Sequence, residues 1–305
     1  MKVLLTGGSG MVGTNIREHS SAQNFQLLTP TRTELNLFNR EAVKKYLSTE
    51  MPDLIIHAAG RVGGIQANIS NPVGFLAENV DMGLNLILSA QQVGIPNLIN
   101  LASSCMYPRD ALNPLHESII LQGGLEPTNE GYALAKIVST RACEYVSKED
   151  SKKNYKTIIP CNLYGRYDKF DPENSHLIPA IIKKIDDAMR ESSQEIEIWG
   201  DGEARREFMY AGDLADFIFY ALQRIDEMPQ NINVGLGFDY SVTEYYKAVA
   251  EVIGFEGGFK FDLTKPVGMK KKLVDTSQLS SFGWSSATDL SDGLRKTYAY
   301  YKEKN

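Results

Sequence analysis

Lys2-Val-Leu-Leu-Thr-Gly-Gly-Ser-Gly-Met-Val-Gly13 is the stretch that decides the fold. Val3–Thr6 is a short apolar run and predicts a buried strand. Gly7, Gly10 and Gly13 follow at three-residue spacing, and Met11–Ser20 has the pattern of a helix. A glycine-rich turn between strand and helix has a physical use. Glycine permits the tight turn and lets the backbone approach a pyrophosphate, while the helix start supplies unpaired N–H groups and the positive end of a dipole. In an arbitrary loop these glycines would be an ordinary turn. At residue 7, between the first strand and the first helix, they imply a bound dinucleotide.

Downstream, short apolar runs alternate with longer stretches of helical character. Strands are predicted at Phe25–Leu28, Asp53–His57, Leu98–Ser103 and Lys156–Pro160, and helices at Arg40–Thr49, Pro72–Val93 and Tyr132–Ser147. This alternation predicts an α/β, Rossmann-type doubly wound parallel sheet with ligands beyond the carboxyl ends of its strands. After about Gly165 the pattern loosens. A polar loop at Asp168–Ser175 precedes a helix at Ile178–Ser192, a strand at Glu195–Trp199, and helices at Asp213–Arg224, Val242–Ile253 and Leu290–Tyr301. That half reads as a smaller C-terminal substrate domain. The expected division is 1–164 for the cofactor and 165–305 for the substrate, with a segment near 206–235 returning to the first domain.

Bulk composition narrows the function. With 305 residues, 43% of them hydrophobic, the chain can build one large core or two that share an interface. A net charge of −6 disfavours a general nucleic-acid binder, which needs a basic face. Cys105, Cys143 and Cys161 are an odd, sparse set that suits a reducing compartment. The apolar start is too short for a signal peptide, and no stretch is long and apolar enough to span a membrane. A soluble cytoplasmic protein is expected, and no residue pattern calls for a metal.

At the end of the second strand an acidic residue would bond the ribose 2′-hydroxyl of NAD. The chain has Thr29-Pro-Thr-Arg32 instead, and a basic side chain suits the 2′-phosphate of NADP. Arg32 is also readable as a solvated arginine, and Glu34 lies close. Tyr132-Ala-Leu-Ala-Lys136 puts a phenol and an ammonium one helical turn apart. The lysine is expected to favour phenolate and so lower the tyrosine pKa, and the tyrosine can then pass a proton to an alkoxide formed by carbonyl reduction. Ser103, at the preceding strand end, can bond the same oxygen. Alone, such a Tyr/Lys pair is usually structural; with Ser103 and the glycine loop it points to a reductase.

Further stretches carry a resemblance. They include Thr31-Arg-Thr-Glu-Leu-Asn-Leu37, Val62-Gly-Gly-Ile65, Ser103-Ser-Cys-Met-Tyr-Pro108, Leu125-Glu-Pro-Thr-Asn129, Asn162-Leu-Tyr-Gly165, Asn174-Ser-His-Leu-Ile-Pro179 and Arg206-Glu-Phe208. From the first strand to near the C-terminus the chain resembles the GDP-L-fucose synthase family of 3,5-epimerase/4-reductases, within the extended short-chain dehydrogenase/reductases. The resemblance implies an NADPH-dependent enzyme acting on a GDP-linked 4-keto sugar. It implies Ser103, Tyr132 and Lys136 as reductive residues, and Cys105 and His176 as the acid/base pair for epimerisation. A ketone at C4 acidifies the hydrogens on C3 and C5, and inversion needs a base on one face and an acid on the other. By themselves Cys105 would read equally well as a packing residue and His176 as a loop histidine.

The resemblance further implies cofactor contacts from Gly7, Gly10, Met11, Val12, Gly13, Arg32, Leu37, Ala58, Ala59, Lys136, Asn162 and Leu163. Lys184, Trp199, Arg206 and Lys272 are implied for the diphosphate and base, although Trp199 is also readable as core and Lys270–Lys272 as a solvated face. Fold analogy implies a homodimer joined through the two long helices.

Some positions depart from the family pattern. Ser9 and Gly131 stand where arginine and proline are common, and Lys265-Pro-Val-Gly268 replaces Lys-Pro-Asp-Gly. Gly258 matches a family arginine. The changes at Gly258 and Val267 are expected near the sugar or nucleotide, which leaves open a sister enzyme that reduces another GDP-4-keto sugar, such as a heptose, with or without epimerisation. A silent dinucleotide-binding regulator is disfavoured by the intact Ser103, Tyr132 and Lys136. NAD-retaining epimerases and dehydratases of the same fold are disfavoured by Cys105, His176 and the missing acidic 2′-hydroxyl reader.

Overall fold

The computed structural model describes residues 1–171, 175–265 and 268–304. From the N-terminus the elements are β1 (Lys2–Thr6), α1 (Met11–Glu18), β2 (Gln26–Leu28), α2 (Arg40–Glu50), β3 (Leu54–His57), α3 (Ile65–Ser70), α4 (Pro72–Val93), β4 (Asn97–Leu101), α5 (Glu130–Glu149) and β5 (Asn154–Pro160). The second half contains β6 (Asn162–Tyr164), α6 (Leu177–Arg190), β7 (Glu195–Trp199), β8 (Arg205–Arg206), β9 (Phe208–Tyr210), α7 (Ala211–Leu222) and β10 (Asn231–Val234). It continues with β11 (Tyr240–Ser241), α8 (Val242–Ile253), β12 (Gly258–Asp262), β13 (Lys271–Lys272), α9 (Ser277–Phe282) and α10 (Leu290–Lys304).

Six parallel strands form the central sheet in the order β2-β1-β3-β4-β5-β10. Successive side chains of a strand point to opposite faces, and both faces are apolar here. Val3, Leu5, Leu54, Ile56 and Ile99 pack with α1 and α7 on one side. Leu4, Ile55, Leu98 and Tyr155 pack with α2, α4 and α5 on the other. The chain leaves β1 for β2 on one side and returns to β3 on the other. That reversal opens a crevice beyond the carboxyl ends of β1 and β3. Thr6 and His57 are register partners there, joined by a 2.9 Å hydrogen bond between Oγ1 and Nδ1. Burial, and then the charge of Lys136, hold the His57 pKa down to about 3, so this ring is neutral.

The long helix α4 has clear punctuation. The Asn71 side chain accepts from Gly74 N, Pro72 takes the first turn, and Gly94 ends the helix at φ 93°. It packs closely along α5. A Cβ on Gly83 would lie 2.2 Å from Ser139 Oγ, and one on Gly131 would lie 2.8 Å from the Pro72 carbonyl oxygen. The second contact explains the departure at Gly131, since no side chain fits between the helix starts.

A separate core gathers Ile178, Ile182 and Ile185 of α6, Ile196 and Ile198 of β7, and Tyr245 and Val249 of α8. The strands around it are short. β8 lies between β11 and β13, β7 pairs with β12, and β6 pairs with β9. The sequence pattern predicts β7 and the helices α6, α7, α8 and α10 of this half, but neither β10 and β12 nor these two- and three-residue strands. A period of two cannot be seen in two residues.

Candidate active site

Beyond β1, the glycine loop has the shape a pyrophosphate requires. Gly7 has φ 74°, and a Cβ there would lie 2.6 Å from Ala59 N; a Cβ on Gly13 would lie 2.1 Å from Gly7 O. On Gly10 the nearest neighbour would be 3.5 Å away, so that glycine leaves its outer face open. Gly10 is the N-cap of α1 and offers no side-chain cap, so the first turn, Met11 to Gly13, presents its N–H groups outward. Ala58 and Ala59 follow β3 on the other side of the crevice and are partly exposed. These features fit a dinucleotide pyrophosphate.

Arg32 is exposed and lies over the Phe38 ring, 5.1 Å from its centre. Glu34 does not compete for it. The Glu34 carboxylate accepts from Thr31 N at 2.7 Å and from Thr31 Oγ1 at 2.8 Å, and these bonds lower its pKa. Leu37 is buried beneath this loop, and its carbonyl accepts from Asn85 Nδ2 at 2.9 Å. Asn162 donates to Glu207 O at 2.9 Å, and Leu163 packs partly buried against the larger core.

Ser103, Tyr132 and Lys136, the residues expected to serve reduction, meet at the ends of β4 and α5. Ser103 accepts from Cys105 N at 3.2 Å, and its hydroxyl pulls the Tyr132 pKa down. Lys136 is 8% exposed, donates to Leu101 O at 2.8 Å, and lies 5.7 Å from the Tyr132 ring centre. Burial lowers the Lys136 pKa to about 8. The expected depression of the phenol by this lysine does not occur in this arrangement. Burial, followed by the charge of Cys105, raises Tyr132, and only the Ser103 bond pulls it down. The ammonium is held on the Leu101 carbonyl and lies over the phenol ring rather than bonding its oxygen. Tyr132 therefore holds its proton, as a proton donor should.

Cys105 faces two donors. Asn129 Nδ2 lies 3.2 Å from its sulfur and Lys272 Nζ 3.3 Å. Burial pushes the thiol up, but the Lys272 charge and the bonds from Ser103, Lys272 and Asn129 outweigh it, and the net shift is downward. His176 caps the start of α6 through its backbone. Burial, and then Lys169 and Lys272, lower its pKa. Asp168, in the loop before it, is raised to about 7, chiefly by burial.

Among the residues expected to hold the nucleotide, Lys184 reaches the Glu197 carbonyl on β7. Trp199 at the end of β7 is 48% exposed, so it is not core, and Lys265 Nζ stands 5.5 Å from its ring centre. Arg206 and Lys272 are register partners on β8 and β13, with Arg206 half-buried. Lys272 points to Cys105 and so stands apart from the other three. Gly258 pairs with Glu195, whereas Trp199 pairs with Asp262 at the other end of the β7–β12 ribbon. Four strand steps separate Gly258 from the Trp199 end, about 13 Å. Asn174 and Val267 lie outside the described residues.

Asn129 is a site residue to which the sequence pattern assigns no task. A signal is nonetheless there: an asparagine three residues before Tyr132, at the N-cap of α5, where such a side chain ordinarily caps. It makes no cap bond. Residues 3–235 match the NAD dependent epimerase/dehydratase family.

The chain belongs to that family.

Within this family of NAD dependent epimerases and dehydratases, the chain is 58% identical to the GDP-L-colitose synthase of Yersinia pseudotuberculosis, covering 100% of this chain and 99% of that protein. It is 50% identical to the GDP-L-fucose synthase of Azorhizobium caulinodans, covering 98% and 96%. Among solved structures, a GDP-mannoheptose C4 reductase from Campylobacter jejuni with NADP bound superposes with a TM-score of 0.88 at 30% identity, covering 99% of this chain and 98% of that one.

Proposed function

We propose that the chain is an NADPH-dependent enzyme that reduces C4 of a GDP-linked 4-keto sugar and moves protons at the carbons beside that ketone. The single observation that carries this reading is that a Cys105 sulfur receiving two donors, Asn129 and Lys272, stands beside Ser103 and Tyr132. A reductase without epimerisation needs Ser103 and Tyr132 and has no use for the sulfur. Full-length identity to enzymes named for GDP-L-colitose and GDP-L-fucose synthesis supports the substrate class.

NADPH, when bound, supplies the reducing equivalent. Gly7, Gly10, Met11, Val12, Gly13, Ala58 and Ala59 would hold its pyrophosphate side and Arg32 its 2′-phosphate. Leu37, Asn162, Leu163 and Lys136 would line the remainder. Tyr132 delivers its proton to O4 of the sugar, and Ser103 bonds the same oxygen. Cys105, as thiolate, takes the proton from the carbon beside the ketone; the C–H electron pair passes into an enolate, and His176 relays a solvent proton back to that carbon. Lys184, Trp199 and Arg206 take the GDP part.

The same proposal divides the chain into a cofactor part, 1–164 with 206–235, and a nucleotide-sugar part in the rest of 165–305. The place of β10 in the central sheet and the separate core around α6 and α8 support it. A homodimer through α4 and α5 is supported by exposed Val73, Leu76, Leu134, Val138 and Tyr145 on those helices; a monomer mass by light scattering at micromolar concentration would refute it. Among the described residues no helix is long and apolar enough to cross a membrane. Free Cys105, Cys143 and Cys161 favour a cytoplasmic location.

The test is incubation with GDP-4-keto sugars in heavy water, first without and then with NADPH, with NMR of the products. Deuterium entering beside the ketone before reduction supports the reading. Reduction with no exchange and with retained C3 and C5 configuration replaces it with a simple 4-reductase, the activity that the heptose reductase relative bears in its name.

A further inference from the structure

Lys272 is a buried lysine, 8% exposed, on a strand of two residues. A buried ammonium is costly unless it finds a counter-charge or acceptors. Its Nζ donates to Cys105 Sγ at 3.3 Å, across 167 positions of chain. The other neighbour of that sulfur is also a donor, Asn129 Nδ2 at 3.2 Å. Asn129 sits at the N-cap of α5 and leaves the helix N–H groups uncapped to make this contact. Two donors converging on one sulfur suit an acceptor, and a thiolate accepts where a thiol would donate.

We infer that Lys272 is the counter-ion that holds Cys105 as a thiolate, and hence a positioning residue for proton transfer rather than a contact to the nucleotide. This rests on the reading above, in which Cys105 transfers protons. The groups facing the sulfur are Lys272 from β13, Asn129 from the turn before α5, Tyr132 from α5, and Ser103 from its own turn. Lys272 supplies the cation among them.

The other two thiols show what burial does without such a partner. Cys143 is buried and pushed up. Cys161 is also pushed up, by burial and then by the charge of Glu207, which outweigh backbone hydrogen bonds at Met209 and Cys161 and a pull from Lys272. Cys105 is the one that moves down. The same ammonium, with Lys169, helps keep His176 neutral. One lysine thus biases the two proton-transfer groups in the same electrostatic sense, towards a charged sulfur and an uncharged ring. The sulfur charge in turn raises Tyr132 and keeps its proton in place for the reductive step.

The experiment is a pH titration of thiolate ultraviolet absorbance, paired with the pH dependence of alkylation by iodoacetamide, on the full chain. The wild type is expected to show one thiol titrating below the ordinary thiol value, and Cys105→Ser to lose it. Lys272→Met should move that step above the ordinary value and slow alkylation at neutral pH by roughly tenfold or more. Lys272→Arg should restore it. NADPH binding by each variant reports an intact fold, and Lys272→Gln carries the same test if the Met variant does not fold. An unmoved titration in Lys272→Met or Lys272→Gln overturns the inference, most plainly if the KM for the GDP sugar rises instead. The titration uses no substrate, so its result stands apart from the proposed reaction. A wild type with the low-titrating thiol but no deuterium exchange would overturn the reaction and leave the ion pair intact.

Discussion

Tyr132 and Lys136 ride on a helix of 20 residues packed along a six-stranded sheet, whereas Arg206 and Lys272 ride on strands of two residues each. The first pair is fixed by local periodicity, one turn apart on one helix. The second pair is fixed by a register between segments 66 positions apart in the chain, with Lys272 opposite Arg206. A long helix locked at Gly83 and Gly131 tolerates little change in position. Short strands carry few backbone bonds and can be re-registered by small changes in the loops beside them. The side carried on the long helix is therefore the fixed side of the candidate site, and the side carried on the two-residue strands is the one that small loop changes can move.

The comparison breaks first at Tyr132. Tyr132→Phe should lower reduction by roughly 10²–10⁴-fold, the usual worth of a positioned proton donor, while deuterium exchange beside the ketone persists. Stopped-flow NADPH oxidation and NMR exchange read the two activities separately, and joint loss of both would place the phenol in both steps. Arg32→Ala tests the cofactor end of the fixed side. Losing a charge-assisted bond of about 1.5–3 kcal/mol should shift the NADPH-to-NADH ratio of kcat/KM by roughly 10- to 100-fold, and an unchanged ratio rejects Arg32 as the 2′-phosphate reader. Gly131→Ala probes how tightly α5 is held. Its Cβ would meet the Pro72 carbonyl at 2.8 Å, so denaturant titration should show a loss of about 1–3 kcal/mol. A stable variant with normal kinetics would show that the helix starts can part. The smallest effect is expected at Gly258→Arg. That position pairs with Glu195, at the end of the ribbon away from Trp199, so KM for the GDP sugar should not change. A clear fall in KM would bring the far end of the ribbon back into the substrate site.

How much of this is readable from the chain follows the same division. The strand Val3–Thr6, its glycine loop and the helix Pro72–Val93 announce themselves through apolar runs and through punctuation at Asn71, Pro72 and Gly94. Tyr132 and Lys136 declare themselves by spacing once Ser103 and the glycine loop are set beside them. Cys105 and His176 need the resemblance, because one thiol and one loop imidazole have no spacing to read. The contact from Lys272 to Cys105 is not legible. It depends on the pairing of β13 with β8, and nothing in Lys270–Lys272 distinguishes the buried lysine from its neighbours. Asn129 is legible only in hindsight, as a capping residue that does not cap. The expected phenol shift fails for a related reason: spacing places Lys136 near Tyr132 but does not reveal that Leu101 O already holds the ammonium.

The last strand of the central sheet, β10, is supplied by residues 231–234 and lies against β5, after the chain has already built α6, β7, β8, β9 and α7. During synthesis, then, the sheet emerges from the ribosome with β5 as a bare edge until some seventy further residues have been made. An unpaired edge of Asn154–Pro160 is an invitation to wrong partners. A fragment ending near residue 164 would keep that edge for good. It should therefore precipitate or associate where the full chain does not, even though it would carry the glycine loop, Ser103, Tyr132 and Lys136.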